Sequence, residues 1–315
     1  MALHWKTVGQ AFSLSVTEVP VVKELAGQDP SRMPLAAFPK CFLDALCVTR
    51  TMSVDDWLAL AAGLDVDGLE FYWPFTPAHD PRELERLRRK VEAQGRSIPM
   101  MCYSPDFTQP GPGDRRREVE AQKRVLAACP LLGVRYCRVL SGQRRPEVPR
   151  DLGVQWAAQC IRELLPEAEH HGVTLALENH YKDAFWVYPE FAQQRDIFLQ
   201  LVAAIPPHPH FGVNYDPSNA LIAGEDPLVL LEAVKHRVVT MHASDRYFEA
   251  GAAALKHGVI GQGLNDYDAI FRTLRQTGFT GWISIEDGAD PATGLRDLSA
   301  SAVFLRRKMR EHALA

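Results

Sequence analysis

The chain has 315 residues, 46% of them hydrophobic and 23% charged, the balance of a globular protein rather than a disordered one. Its formal net charge of −4 gives no general attraction to a phosphate backbone, so nucleic acid is not an expected partner. No run of about 18 apolar residues occurs, so no membrane span is expected, and the opening Met1-Ala-Leu-His-Trp-Lys lacks the apolar core of a signal peptide. The six cysteines, Cys41, Cys47, Cys102, Cys129, Cys137 and Cys160, form no C-x-x-C pair. They read as free thiols in a reducing compartment, and a cytoplasmic location is expected.

Met1 to Lys40 carries Pro20, Pro30, Pro34 and Pro39 and shows no clear period. Residues 1–40 are expected to be an N-terminal extension packed on the main domain or at a subunit contact, the latter implying a homo-oligomer. From Cys41 onward a strand–helix alternation fills 41–315. Strands are expected at Phe42 to Val48, Gly68 to Trp73, Ile98 to Tyr103 and Arg135 to Leu140. Four more follow in Val173 to His180, Phe211 to Pro217, Val238 to Asp245 and Trp282 to Asp287. Most are short apolar runs ending in a polar residue, as parallel strands buried on both faces are. Amphipathic stretches separate them: Val54 to Ala62, Arg82 to Gln94, Glu118 to Cys129, Val154 to His171, Asp196 to Ala204, Pro227 to His236 and Tyr267 to Thr277. Leu295 to His312 is the closing helix. Gly95, Gly133, Gly172 and Gly278 fall just past helices, where a left-handed cap is wanted. Eight strands with intervening helices predict a (β/α)8 TIM barrel, for which about 250 residues is typical. A doubly wound open sheet is the alternative, weakened because no Gly-rich phosphate loop follows the first strand. Gly261-Gln-Gly263 reads as a turn rather than a nucleotide loop.

The last four strands each end in a metal-binding residue: Glu178, Asp216, His242 and Glu286. In a barrel those C-terminal ends face one mouth. Three carboxylates and an imidazole form a mostly hard, oxygen-rich set, suited to one divalent cation: Mn2+ first, with Mg2+, Co2+ or Zn2+ also compatible. Taken singly, each acid reads as a helix cap or loop charge and His242 as a satisfied core histidine; four successive strand ends together argue for a site. Arg246, just past His242, is placed to hold a hydroxyl, carboxylate or phosphate oxygen, or to salt-bridge a neighbouring acid. His257 is a candidate substrate contact or a loop histidine. His180 lies two residues past Glu178 on the same strand face. Trp73 and Tyr103, after the second and third strands, are candidates for an apolar wall against a small-molecule substrate, barrel-top packing being the plain alternative.

The runs Leu175-Ala-Leu-Glu-Asn-His180, Asp216-Pro-Ser-Asn219, Met241-His-Ala-Ser-Asp-Arg246, His257-Gly-Val-Ile-Gly-Gln-Gly263 and Gly281-Trp-Ile-Ser-Ile-Glu286 resemble the xylose isomerase-like TIM-barrel superfamily. That group includes sugar phosphate isomerases and epimerases, ketose 3-epimerases, inosose dehydratases and the endonuclease that nicks abasic DNA. The resemblance runs from Cys41 to the C-terminus and is most specific between Glu178 and Glu286. It implies the barrel, and metal binding at Glu178, Asp216, His242 and Glu286. It also implies that Glu178 and Glu286 are catalytic, as ligands that double as acid/base groups. Asn219 stands where many relatives carry a substrate-touching histidine and is expected to face the site. Leu255 stands where the nuclease has an aspartate, and Trp73, Tyr103 and Ser141 where it has histidines, so one metal is expected rather than three. The expected function is a divalent-metal-dependent isomerase or epimerase acting on a small sugar or sugar derivative through an enediolate. A lyase of the same fold, inosose dehydratase-like or cleaving keto- or C-glycosides, is the alternative; a DNA-binding nuclease fits least.

Overall fold

Short, largely buried runs make the barrel strands of this protein, and a computed structural model describes residues 33–76, 80–251, 254–286 and 290–312. The strands are β1 (Leu35–Ala37), β2 (Gly68–Leu69), β3 (Phe71–Tyr72), β4 (Met100–Cys102), β5 (Tyr136–Val139), β6 (Thr174–Glu178), β7 (Phe211–Tyr215), β8 (Val238–Ala243), β9 (Arg246–Tyr247), β10 (Lys256–His257) and β11 (Trp282–Ile285). Nine of them form one sheet in the order β2-β1-β11-β8-β7-β6-β5-β4-β3, and every pairing in it is parallel. The two ends of that order, β2 and β3, are separated in the chain by Glu70 alone. They are two halves of one strand, so the ladder comes full circle into an eight-stranded TIM barrel. β9 and β10 form a separate antiparallel hairpin above it.

The helices are α1 (Val54–Ala61), α2 (Pro81–Glu92), α3 (Pro112–Leu132), α4 (Arg150–His170), α5 (Arg195–Ala203), α6 (Pro217–Ile222), α7 (Pro227–Val234), α8 (Tyr267–Gln276) and α9 (Gly294–Glu311). Their caps follow local chemistry. Ser53 and Asp56 make a reciprocal capping box at α1, and Asp80 accepts from Arg82 and Glu83 N–H at α2. The four glycines expected past helix ends have φ of +70° (Gly95), +72° (Gly133), +63° (Gly172) and +67° (Gly278). All six cysteines are free, and all but Cys47 are buried. Among the described residues no helix is long and apolar enough to cross a membrane.

The first strand is displaced from its expected place. Phe42 to Val48 is not a strand: residues Lys40–Phe42 form a 3-10 turn and Asp44–Val48 a π turn. The spacing explains it, since Phe42 and Leu46 are buried while Asp44 and Val48 face solvent, a helical rather than alternating pattern. The true first strand is Leu35–Ala37, which pairs with both β11 and β2. It therefore lies within the stretch assigned to the N-terminal extension. Residues 1–32, most of that extension, lie outside the described residues.

Candidate metal centre

Glu178 closes β6, Asp216 follows β7, His242 sits in β8 and Glu286 follows β11. Ligand atoms of all four lie within 4.8 Å of one another, and all four side chains are buried. The backbone register produces this convergence: Ser284 pairs with His242, and Glu286 N–H bonds the Ala243 carbonyl at 2.8 Å.

Glu178 and Glu286 each have one oxygen clamped and one turned to the centre. Arg138 Nη1 holds Glu178 Oε2 at 3.1 Å, leaving Oε1 facing His242 Nδ1 at 3.1 Å. Lys40 Nζ holds Glu286 Oε1 at 3.2 Å, leaving Oε2 at 2.9 Å from the same Nδ1. Asp216 is the N-cap of α6; its Oδ1 accepts from Ser218 N (2.8 Å), Asn219 N (3.2 Å) and Ser244 Oγ (2.7 Å). The Asn179 side chain fixes the Asp216 backbone, donating to its carbonyl at 2.6 Å and accepting from its N–H at 2.8 Å. Asn219, at the same helix start, donates Nδ2 to Glu178 Oε1 at 3.3 Å, so it does face the cluster.

On the far side of the imidazole, Glu70 Oε1 stands 2.8 Å from His242 Nε2 and accepts from the Cys102 thiol at 2.8 Å. With its proton on Nε2 for Glu70, a neutral ring turns the Nδ1 lone pair toward two carboxylate oxygens, an arrangement that is repulsive unless a cation lies between them. Glu286 Oε2 is buried and, despite its distance from Nδ1, accepts no hydrogen bond among the described residues. The donor set therefore fits a divalent cation held by Glu178, Asp216, His242 and Glu286, with Glu70 as the outer carboxylate that sets the histidine tautomer. A second close group, Glu70, Cys102 and His242, shares that imidazole and reads as its support.

The electrostatics of the bare chain report the same crowding. Burial opposes a charged His242, but Glu70, Glu286 and Glu178 outweigh it and raise its pKa well above the ordinary value. Burial, with Glu286 and Glu178 beside it, pushes Asp216 up to about 6. Burial would also raise Glu286, yet Lys40 and His242 hold it well below the ordinary carboxylate range. Glu178 is lowered too, His242, His180 and Arg138 overcoming its burial.

The remaining predicted residues divide. His180 is buried with Nδ1 3.8 Å from Glu190 Oε2, and Glu190 in turn holds Ser141 through its N–H (2.7 Å) and hydroxyl (2.5 Å). Arg246 and His257 are register partners in the β9·β10 hairpin. Burial, with Lys40 and Arg246 nearby, pushes His257 down to about 2, so its ring is neutral. Trp73 begins a 3-10 turn and packs half-buried against the core. Tyr103 is not brought to the cluster: the charges acting on its hydroxyl are Glu118 and Arg124 of α3. Cys102 turns inward to Glu70, so by strand alternation Tyr103 turns outward to the helix layer. Sequence reasoning missed Lys40, Arg138 and the tautomer-setting role of Glu70. The signal available for Arg138 was a lone guanidinium inside the apolar strand Tyr136–Val139.

A family model for xylose isomerase-like TIM barrels matches residues 58–308. A 3-oxo-isoapionate decarboxylase of Pectobacterium atrosepticum is 29% identical over 202 residues, covering 63% of this chain and 64% of that protein. The chain thus matches just under two thirds of that relative's length. The IOLI protein, solved with a bound zinc atom, superposes with a TM-score of 0.73 at 16% identity, over 90% of this chain and 100% of its own. A D-tagatose 3-epimerase-like protein superposes with a TM-score of 0.72 at 17% identity, over 89% and 98%. At those identities the solved structures speak for the fold alone.

Proposed function

The chain belongs to the xylose isomerase-like TIM-barrel family, and on that footing we propose that it is a divalent-metal-dependent enzyme acting next to a carbonyl of a small polyhydroxylated substrate. The observation that carries this reading is His242 Nδ1 standing between Glu178 Oε1 (3.1 Å) and Glu286 Oε2 (2.9 Å) with Asp216 alongside. A divalent cation bound there supplies a Lewis acid for the enediolate oxygens that develop when a bond at the adjacent carbon breaks. The protein's own groups do the rest. In an isomerase or epimerase, Glu178 and Glu286 take a proton from carbon and return one to the other face or to the neighbouring carbon; such assistance is typically worth about 10²- to 10⁴-fold in rate.

A second reading, a lyase, has its own support. Both candidate acid/base carboxylates are engaged by fixed cations, Arg138 and Lys40, which weakens each as a base. Loss of carbon dioxide from a 3-oxo acid needs no base at carbon: the C–C bond breaks, its electron pair enters the enolate, and one proton is taken up afterwards. The Pectobacterium atrosepticum relative, 29% identical over 202 residues, is named for that reaction.

One experiment separates these readings. Mn2+-loaded protein is incubated in D2O with a panel of ketoses and, separately, with 3-oxo-isoapionate, followed by NMR. An epimerase or isomerase leaves deuterium on a substrate carbon and yields an isomer; a lyase yields a shortened ketone. No metal-dependent product or exchange from either panel sinks the proposal.

A further inference from the structure

Arg246 carries a charge that nothing in the described residues answers. It is 5% exposed, and among the described residues its guanidinium packs over the face of Tyr181, 5.4 Å from the ring centroid. Its Nε is buried and has no acceptor among the described residues. A buried cation left without a counter-charge is costly, so the fold has kept a costly group in place. The carboxylates around it are engaged elsewhere. Its chain neighbour Asp245 accepts from the N–H of Gly261 (2.9 Å), Gly263 (3.0 Å) and Asn265 (3.1 Å). Glu286 is held by Lys40.

Two further groups share that space. His257 is the direct register partner of Arg246, which places the two side chains on one face of the hairpin. Lys40, whose side chain is 17% exposed, comes from the turn after β1 and lies close enough to act on Arg246 and His257 alike. We propose that Arg246, with His257 beside it and Lys40 across the mouth, forms a binding site for a carboxylate carried by the substrate. The inference rests on the barrel mouth being the substrate site, and it narrows the substrate to a sugar acid. A phosphate is disfavoured by the loop itself: the backbone N–H groups of Gly261 and Gly263, which would cradle one, are already spent on Asp245. The planar fork of an arginine suits a carboxylate.

The test is calorimetric and needs no turnover. Mn2+-loaded and metal-free protein are titrated with D-xylonate and with xylitol, which carry similar hydroxyls and differ in charge. Wild type is expected to bind xylonate about tenfold tighter than xylitol or better, as charge-assisted hydrogen bonds provide. Arg246→Met removes most of that preference with metal content unchanged, Arg246→Lys restores part of it, and Lys40→Met, compared at saturating Mn2+ and in metal-free protein, reduces it. A preference that survives intact in Arg246→Met overturns the proposal, since the carboxylate would then be chelating the metal alone. So does the absence of any preference in wild type. Inorganic phosphate displacing xylonate more strongly than sulfate or acetate assigns the site to phosphate and overturns the carboxylate reading. Failure of wild type to hold metal at all sinks the enediolate reading instead, and the metal-free titration still decides the carboxylate site.

Discussion

Glu70 is the group whose removal tests the metal centre without touching a ligand. Its Oε1 is 2.8 Å from His242 Nε2, and both side chains are fully buried. Its work is to keep the proton on Nε2 and the lone pair on Nδ1, where Glu178 and Glu286 converge. Outer carboxylates of this kind typically cost about 10- to 100-fold in metal affinity when lost, or about 1.4 to 2.8 kcal/mol. Glu70→Gln keeps an acceptor for Nε2–H but loses the charge, so it is expected near the lower end. Glu70→Ala frees the ring to flip or to protonate Nδ1, and is expected near the upper end. Mn2+ affinity is read by competition against a chelating dye, with circular dichroism to confirm that each variant folds. Unchanged affinity in Glu70→Ala would refute the orienting role and leave Glu70 as a partner of the Cys102 thiol only.

Further outcomes follow from the same geometry. Mn2+ at about 1,000 times its Kd should stabilise the protein by about 4 kcal/mol, a rise in Tm of about 8 °C at about 2 °C per kcal/mol; His242→Ala should abolish the rise, and persistence would place the metal elsewhere. Lys40→Met removes a cation that competes for Glu286 Oε1 at 3.2 Å, so metal affinity should increase, by about tenfold in the same dye assay, the opposite sign to the Glu70 variants; a decrease refutes the clamp. Asp268 is held down to about 2 from an ordinary 3.8, chiefly by hydrogen bonds from His312 and Lys308. Because its folded pKa is depressed, its stabilisation is present above the unfolded value and lost as pH falls through the folded one. The group is 44% exposed, so the gain is about 1 kcal/mol or less. Asp268→Asn should lower the urea midpoint at neutral pH and converge on wild type as pH falls through about 2; an equal gap at both ends of the titration would refute it.

The ligands were legible because they recur: a polar residue ending each of four apolar runs is a pattern that spacing alone exposes. The charges around them are harder to read: Arg138 lies in a strand the sequence does show, but a lone guanidinium there names no partner, and the others sit where the strands read poorly. Lys40 follows Leu35–Ala37, too short to show a period and set among prolines, so the sequence points instead to Phe42 to Val48, where helical spacing wins. Glu70 sits at the break between β2 and β3, where its inward direction depends on a pairing that changes partner within one strand. Tyr103 fails by parity: once Cys102 faces inward, the next residue cannot. Asp216 reads as a ligand from the sequence, and Asp216-Pro217 is also an N-cap followed by proline; the structure shows the cap through Oδ1 and leaves the same carboxylate within the cluster.

The candidate metal centre draws on every strand of the barrel. Lys40 follows β1, Glu70 joins β2 to β3, Cys102 ends β4, Arg138 lies in β5, Glu178 ends β6, Asp216 follows β7, His242 lies in β8 and Glu286 follows β11. With His242 and Cys102 neutral, the four carboxylates Glu70, Glu178, Asp216 and Glu286 stand against the two cations Lys40 and Arg138. Two negative charges remain, which is the charge a divalent ion neutralises. A closed barrel cannot relax such an excess by moving one strand, because each strand is hydrogen-bonded on both sides. The excess must be met by a proton, as the raised pKa of His242 and Asp216 in the bare chain indicates, or by a cation. Once a divalent ion meets it, the ring of eight is neutral, and the charge of Arg246 above that ring is left for whatever the mouth receives.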